Sequence, residues 1–305
     1  MPDTEPSRPT SPGLVIENLT RRFSERLVVD NLSFTVAPGT ITGFVGANGA
    51  GKTTTMRMIM GVLAPTSGHV YWNNRPINDN DRYSFGYMPE ERGLYQKQKV
   101  LDQLIYLGRI HGMGKTEAKR SASEYLERFG LGDRAEEPLE KLSLGNQQRV
   151  QITAALMNNP QCLILDEPFS GLDPTAIDAM SAVLVEQSKR GVPILFSSHQ
   201  LDLIDRLCHR LVILANGRLV GSGTSNQLRA AATKHHRLVL TNDAGWVRGI
   251  PGVSVIDLEG NTAILNVIED QARQHLLSEA LNRGGIEEFA PLVPTLSEIY
   301  REVTA

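Results

Sequence analysis

Gly46-Ala47-Asn48-Gly49-Ala50-Gly51-Lys52-Thr53 fits the pattern G-x-x-x-x-G-K-[ST]. Glycines at this spacing let consecutive backbone N–H groups turn inward around phosphate oxygens. An apolar segment, Ile41–Val45, precedes the loop, and a helical pattern from Lys52 through Met56, Met58, Ile59 and Met60 follows it. The start of that helix adds its dipole to an anion site. Lys52 is spaced to reach β- and γ-phosphates, and the Thr53 hydroxyl to ligate Mg²⁺. The chemistry is the binding of a nucleoside triphosphate. A functionless glycine-rich turn also fits the bare pattern, but the strand before it and the helix after it weigh against that.

Cys162-Leu163-Ile164-Leu165-Asp166-Glu167 is an apolar run that ends in two carboxylates. It describes a buried strand delivering acids at its carboxyl end, where doubly wound sheets bind ligands. Asp166 is placed to hold Mg²⁺ through water, and Glu167 to orient or deprotonate an attacking water. Leu142-Ser143-Leu144-Gly145-Asn146-Gln147-Gln148 leads into an amphipathic helix through Val150, Ile152, Ala155 and Leu156. Ser143 and Gly145 give that helix an N-terminus with a hydroxyl and free amides, a second anion site, although an ordinary capped helix fits the segment in isolation. Phe196-Ser197-Ser198-His199 closes the strand after the acid-bearing one. Its histidine therefore lies near the same sheet edge and reads as a γ-phosphate sensor.

The elements that must position these groups alternate. Leu14–Leu19 and Leu32–Val36 are β-rich, and Ile41–Val45 is a third strand. Gly61 and Pro65 stop the helix after the loop, and a polar, turn-rich stretch runs from Asn73 to Arg82. Residues from about Val100 to Asn158 repeat at helical spacing. Gln161–Leu165 and Ile194–Phe196 are strands buried on both faces. Between them a helix is expected with Thr175 as its cap and Asp178 three residues on, ending at Gly191. Leu211–Leu214 and Arg218–Val220 flank Ala215-Asn216-Gly217, a hairpin signal. Strands alternating with helices imply an α/β sheet interrupted by a helical insertion. After Gln227–Ala232 the character changes. Strand candidates at Arg237–Leu240, Val253–Leu258 and Ala263–Val267, then helices at Asp270–Arg283 and Thr295–Val303, describe a small α+β domain. Three parts are expected: a disordered tail over residues 1–13, an α/β domain over 14–232 with a helical subdomain at about 96–160, and the accessory domain over 235–305.

Composition bounds the remaining classes. The chain has 305 residues, room for one large domain and a smaller one, and its net charge of −3 gives no electrostatic footprint for nucleic acid. Two cysteines, Cys162 and Cys208, sit in apolar stretches and read as buried thiols in a reducing compartment. Seven histidines show no ligand spacing, and His235-His236 reads as a solvated element boundary. No apolar run approaches the ~18 residues of a membrane helix. A cytosolic protein is expected, with any membrane part supplied by other chains.

Taken in order, these motifs resemble the ATP-binding cassette family, the nucleotide-binding subunits of ABC transporters. The resemblance covers about Leu14 to Gln227. It implies the P-loop cassette fold, a mixed sheet core with a helical subdomain, and ATP hydrolysis with ATP and Mg²⁺ bound. Phe23, in Thr20-Arg21-Arg22-Phe23, matches the aromatic that stacks on adenine. Gly46, Ala47, Asn48, Gly49, Ala50, Gly51, Lys52, Thr53 and Thr54 match the Walker A loop. Ser143, Gly145 and Asn146 match the signature motif, which contacts ATP held by the opposite subunit. Asp166 and Glu167 match the Walker B acid and the catalytic glutamate. Ser170-Gly171-Leu172-Asp173 matches the D-loop, and His199 the switch histidine. Lys52, Glu167 and His199 are the implied catalytic set, and Thr53, Glu90 and Asp166 the implied Mg²⁺ ligands.

Two departures stand out. The usual signature is Leu-Ser-Gly-Gly-Gln. Here Leu144 and Asn146 replace its first glycine and its glutamine, while the second glycine, expected to allow close phosphate approach, is kept as Gly145. In Tyr87-Met88-Pro89-Glu90-Glu91-Arg92-Gly93, Glu90 stands where the family carries glutamine. A carboxylate still offers Mg²⁺ an oxygen. Both departures resemble a bacterial subgroup, the ATP-binding subunits of sodium-efflux and drug-export systems, whose small carboxyl-terminal domain Pro294-Thr295-Leu296-Ser297-Glu298-Ile299-Tyr300 also resembles.

The resemblance implies an exporter subunit on the cytoplasmic face of the membrane. Its implied partners are a second ATP-binding subunit, in a homodimer or heterodimer, and a polytopic membrane subunit. A cassette ATPase acting on ribosomes or DNA is the alternative. Such proteins carry two cassettes in one chain or long coiled-coil arms between loop and signature, and this chain has neither.

Overall fold

In the computed structural model, residues 12–91, 93–232, 235–267 and 269–304 are described. The expected disordered tail therefore lies outside the described residues up to residue 11, as does Arg92. Gly13, at the end of that tail, receives and returns hydrogen bonds with Asn73. Two compact units form, Met1–Ser225 and Asn226–Val303.

The first unit is built on two sheets. β1 (Leu14–Phe23) pairs antiparallel with β2 (Arg26–Val36) and with β4 (Ser67–Trp72), which pairs with the short β5 (Arg75–Pro76). β1 and β2 run further than their apolar segments. The polar residues between are absorbed by register shifts, with Asn18 and Asn31 each at φ 51°. The second sheet runs β10-β9-β3-β8-β7-β6. Its strands are β3 (Ile41–Gly46), β6 (Phe85–Met88), β7 (Cys162–Leu165), β8 (Ile194–Ser197), β9 (Arg210–Ala215) and β10 (Arg218–Gly223). All neighbours are parallel except β10 and β9, the expected hairpin. β3, β7 and β8 are buried along their whole length, as parallel strands covered on both faces must be.

Helix α1 (Lys52–Ile59) contributes Met56, Met58 and Ile59 to one core with Ile16 and Phe34 of the first sheet and Phe44 and Ile164 of the second. A short α2 (Asp79–Tyr83) lies within the stretch expected to be turns. Asn78 caps it in a capping box with Asp81. The helical insertion comprises α3 (Val100–Ile110), α4 (Lys115–Arg128) and α5 (Leu144–Leu156), packed through Leu104, Ala122, Leu126 and Val150. α6 (Pro174–Lys189) and α7 (Leu201–Leu207) follow β7 and β8. Thr175 does not cap α6. Asp173 does, its Oδ1 accepting from the Ala176 amide at 2.9 Å, because Pro174 takes the first helical position.

The second unit opens with α8 (Ser225–Ala231) and folds an antiparallel sheet in the order β12-β13-β11-β14. Its strands are β11 (His235–Leu240), β12 (Val253–Glu259), β13 (Thr262–Val267) and β14 (Ile286–Leu292). Leu276 and Ala280 of α9 (Asp270–Asn282) pack with Leu238 and Leu265. α10 (Leu296–Thr304) ends the unit. His235-His236 lies at the element boundary expected of it, as the first two residues of β11, but the pair is half-buried and His236 stacks on Phe289 at 5.0 Å.

Candidate nucleotide-binding and catalytic site

β3 carries the chain to Gly46, and α1 starts at Lys52. The cap residue Gly51 sits at φ 103°, with no side-chain cap and no acidic residue in the first turn. The first amides of α1 are therefore offered to an anion. Lys52 is buried, and its Nζ donates to the carbonyls of Gly46 at 2.7 Å and Ala47 at 3.3 Å. A cleft of about 350 Å³ opens over the loop, bordered by Phe23, Asn48, Thr53, Glu90, Asp166 and Glu167. Thr54 borders it too. Phe23 is 42% exposed, and the Arg21 guanidinium stacks on its ring at 4.4 Å. Arg21 is itself fixed by a 2.8 Å bond to the Ala64 carbonyl.

β7 delivers both acids to this cleft. Asp166 is buried, and its Oδ1 accepts from Ser197 Oγ at 2.6 Å. Its other oxygen, Oδ2, is buried with no hydrogen-bond partner. A buried carboxylate oxygen without a partner calls for a cation or its water. The Thr53 hydroxyl lies 3.5 Å from Glu90 Oε2. Thr53, Glu90 and Asp166 thus supply hard oxygens to one cleft. Mg²⁺ takes few protein ligands and completes its shell with water and substrate phosphates. Among the described residues no cluster of three or more His, Cys, Asp or Glu forms a cation cage.

Glu167 sits at φ 50°. Its Oε2 lies 3.0 Å from Nδ1 of the exposed His199. Burial pushes the Glu167 carboxyl above the ordinary carboxylate range, while His199 and Lys52 pull against that shift. A carboxyl raised in this way is a stronger base toward a nearby water.

The signature residues gather elsewhere. Ser143 caps α5, its Oγ accepting from the Asn146 amide at 3.3 Å. Arg149 of α5 donates to Asp173 Oδ2 at 2.5 Å. A Cβ on Gly145 would meet the Gly171 carbonyl at 2.7 Å. Gly145 is therefore demanded by backbone packing against its own chain's D-loop, beyond any approach to phosphate. Ser143, Gly145, Asn146 and Asp173 are absent from the described residues that line the cleft. The loop, the acids and Phe23 are brought together, and this second group is not.

The YhaQ ATP-binding protein of an ABC transporter from Bacillus subtilis is 37% identical over 95% of this chain and 97% of its own length. The chain belongs to the ABC transporter ATP-binding proteins. The ABC transporter family model matches residues 29–170 of this ABC protein, and the model described as "ATP-binding protein DrrA1-3-like, C-terminal domain" matches residues 223–304. The linearmycin resistance ATP-binding protein LnrL of Bacillus subtilis is 32% identical, covering 70% of both chains. A Nod factor export ATP-binding protein of Paraburkholderia xenovorans is 36% identical over 70% of this chain and 72% of its own. A solved ATP-binding subunit of an ABC transporter superposes with a TM-score of 0.66 at 33% identity, over 71% of this chain and 92% of that one. The cassette fold and the P-loop nucleotide site are those of the family.

Three further residues of the ABC protein support this cleft; Gln148 and Ser197 lie inside quoted motifs that gave them no role, and Gln151 lies outside any. Ser197 Oγ accepts from the Glu167 amide at 2.8 Å and donates to Asp166 Oδ1 at 2.6 Å. Gln148 Nε2 donates to the carbonyls of Glu167 at 2.9 Å and Pro168 at 3.2 Å. Gln151 Nε2 donates to the Pro89 carbonyl at 2.6 Å, beside Glu90. Gln148 and Gln151 are three apart, so they share one face of α5. That spacing, read in the sequence, points to a polar face turned inward.

Proposed function

We propose that this chain is the ATP-hydrolysing subunit of an ABC exporter and works as a dimer with a second ATP-binding subunit. The carrying observation is the division of the site: the loop, the acids and Phe23 share a cleft from which Ser143, Gly145 and Asn146 are absent. A half-site with an unused anion-binding helix start is supported as one side of a shared site. Two ATP molecules then lie between subunits, each held by the Walker A loop of one and the signature of the other.

Phe23 stacks on the adenine. The loop amides from Gly46 to Thr54 and the Lys52 ammonium meet the phosphate oxygens. Thr53, Glu90 and Asp166 hold Mg²⁺, which neutralises charge on the β- and γ-phosphates when bound. Glu167 orients a water for in-line attack on the γ-phosphorus and accepts its proton. The water oxygen bonds to phosphorus as the bond to the β-bridging oxygen breaks, leaving ADP and inorganic phosphate. His199 holds the Glu167 carboxylate through Nδ1.

No described helix is long and apolar enough to cross a membrane, so the transport path belongs to a polytopic partner, with this subunit on the cytoplasmic face. A groove of about 340 Å³ between the core and α3–α5, bordered by Tyr87, Pro89, Leu94, Leu107 and Gln151, is the site proposed for that partner. The resistance and export for which LnrL and the Nod factor protein are named support outward transport. The net charge of −3 gives no electrostatic reason to add nucleic acid to these partners. The cassette is assigned to residues 14–232 and an accessory domain to 235–305.

The test is Glu167→Gln. ATP should bind and drive a stable dimer seen by size-exclusion chromatography, with hydrolysis lost. Hydrolysis at the parent rate would refute the role given to Glu167.

A further inference from the structure

Glu167 holds a left-handed backbone conformation, φ 50°, that residues with a Cβ rarely adopt. Such a residue persists only where its surroundings fix it. Here two side chains from different elements hold the peptide groups on either side. Before the residue, its N–H donates to Ser197 Oγ at 2.8 Å. After it, its carbonyl accepts from Gln148 Nε2 at 2.9 Å. Neither clamp is exposed: Ser197 is fully buried at the end of β8, and Gln148 is 6% exposed on α5.

The Ser197 hydroxyl has one proton to give. Its neighbour on one side is itself a donor, so that proton can only point to Asp166 Oδ1, 2.6 Å away. One buried hydroxyl therefore ties the Asp166 carboxylate to the Glu167 peptide. Gln148 fixes the far side of the same turn and carries the Pro168 carbonyl with it at 3.2 Å. Without the clamp, nothing in the strand's own geometry keeps the Glu167 carboxylate beside His199. A strand continuing at negative φ sends that side chain elsewhere.

We propose that Ser197 and Gln148 are positioning residues for Glu167. They hold its peptide in the left-handed turn that aims the carboxylate, and Ser197 anchors that peptide to the Asp166 carboxylate. This rests on the reading of Glu167 as the group that directs water.

The experiment uses the full chain with Ser197→Ala, Gln148→Leu and Glu167→Gln. It measures kcat and KM for ATP, equilibrium binding of a fluorescent ATP analogue, and thermal unfolding. Misaiming a catalytic group by about 1 Å costs up to ~100-fold, so kcat should fall by about tenfold or more in each clamp variant. Analogue binding should stay within about threefold of the parent, which separates loss of orientation from loss of binding. Added to Glu167→Gln, either substitution should cause no further loss, because the group it aims is gone. Gln148→Leu touches no carboxylate and carries the test alone should Ser197→Ala fail to fold. Parent-like kcat in a folded Gln148→Leu protein overturns the proposal. An equal further loss in the Glu167→Gln background also overturns it, since the residue then acts on something else. A Glu167→Gln protein as fast as the parent overturns the reading of Glu167 itself, and the clamp loses its purpose with it.

Discussion

The side-chain amide of Gln151, 4% exposed on α5, donates to the carbonyl of Pro89 at 2.6 Å, one residue before Glu90. It ties the helix that begins at the signature to the loop that carries the unusual acid. Replacing Gln151 with leucine strands that half-buried carbonyl, at a cost of about 1 kcal/mol, the low end for an orphaned acceptor. Urea denaturation of Gln151→Leu should show a lower midpoint at unchanged slope.

Gly145→Ala separates two ideas of what this glycine does. The added Cβ meets the Gly171 carbonyl at 2.7 Å and must push the signature away from the D-loop. Nucleotide affinity of the isolated chain should stay within about threefold, because Gly145 does not border its own cleft, while ATP-driven dimerisation falls by about tenfold or more. Analytical ultracentrifugation with and without ATP reads the difference. Weakened nucleotide binding by the monomer would place Gly145 in its own chain's site.

Burial holds the Glu167 carboxyl above the usual carboxylate range. The acid limb of the ATPase profile should therefore sit above the ordinary glutamate value and vanish with the activity in Glu167→Gln, where loss of the base costs about 100-fold or more. For stability the sign is opposite. A raised carboxyl favours folding when protonated, so its contribution is present below its unfolded pKa and is lost as pH rises through the folded value. Near neutral pH the buried charge is a cost. Glu167→Gln should therefore unfold at a higher temperature than the parent, by a few tenths to about 1 kcal/mol. Calorimetry at neutral pH checks this, and equal or lower stability would contradict it.

Asp81 behaves the other way. Bidentate hydrogen bonds from Arg75, at 2.6 and 2.7 Å, hold its carboxyl below the ordinary range. Its contribution is present above the unfolded pKa and is lost as pH falls through the lower folded value. Asp81→Asn should remove acid sensitivity in that window and cost about 1 kcal/mol at neutral pH, below the full worth of hydrogen bonds to a charged group because Arg75 is half exposed to solvent. Melting temperatures of parent and variant should converge as the solution is acidified below the ordinary aspartate value.

What could be read in the sequence was what a single segment carries. β3, β7 and β8 were visible because a strand covered on both faces is a short unbroken apolar run. The phosphate loop was visible because its glycines, lysine and threonine are contiguous. β4 begins Ser67-Gly68-His69, and only pairing with β1 makes it a strand. β6 contains Gly86, where a Cβ would lie 2.1 Å from the Ala155 carbonyl, so this glycine, a weak strand former, is required by α5 pressing on it. β14 carries Glu287, Glu288 and Pro291, tolerable only at the sheet edge it occupies. Ser197 was hidden for a related reason: its partner Asp166 lies 31 residues away, and a lone serine gives no sign of what it will touch. Gly145 was seen, but the backbone it faces was not.

The contact at Gly86 also limits how α5 can travel. Near its end, the helix backbone rests on β6 with no room for even one methyl group. Nearer its start, Gln148 and Gln151 grip two separate loops of the sheet edge. A shaft seated at one end and gripped at two points towards the other neither slides along its axis nor lifts away. The motion left to it is a tilt carried together with the sheet. The Glu90 loop and the Glu167 turn are thereby joined through one helix, along a route that does not include the nucleotide cleft.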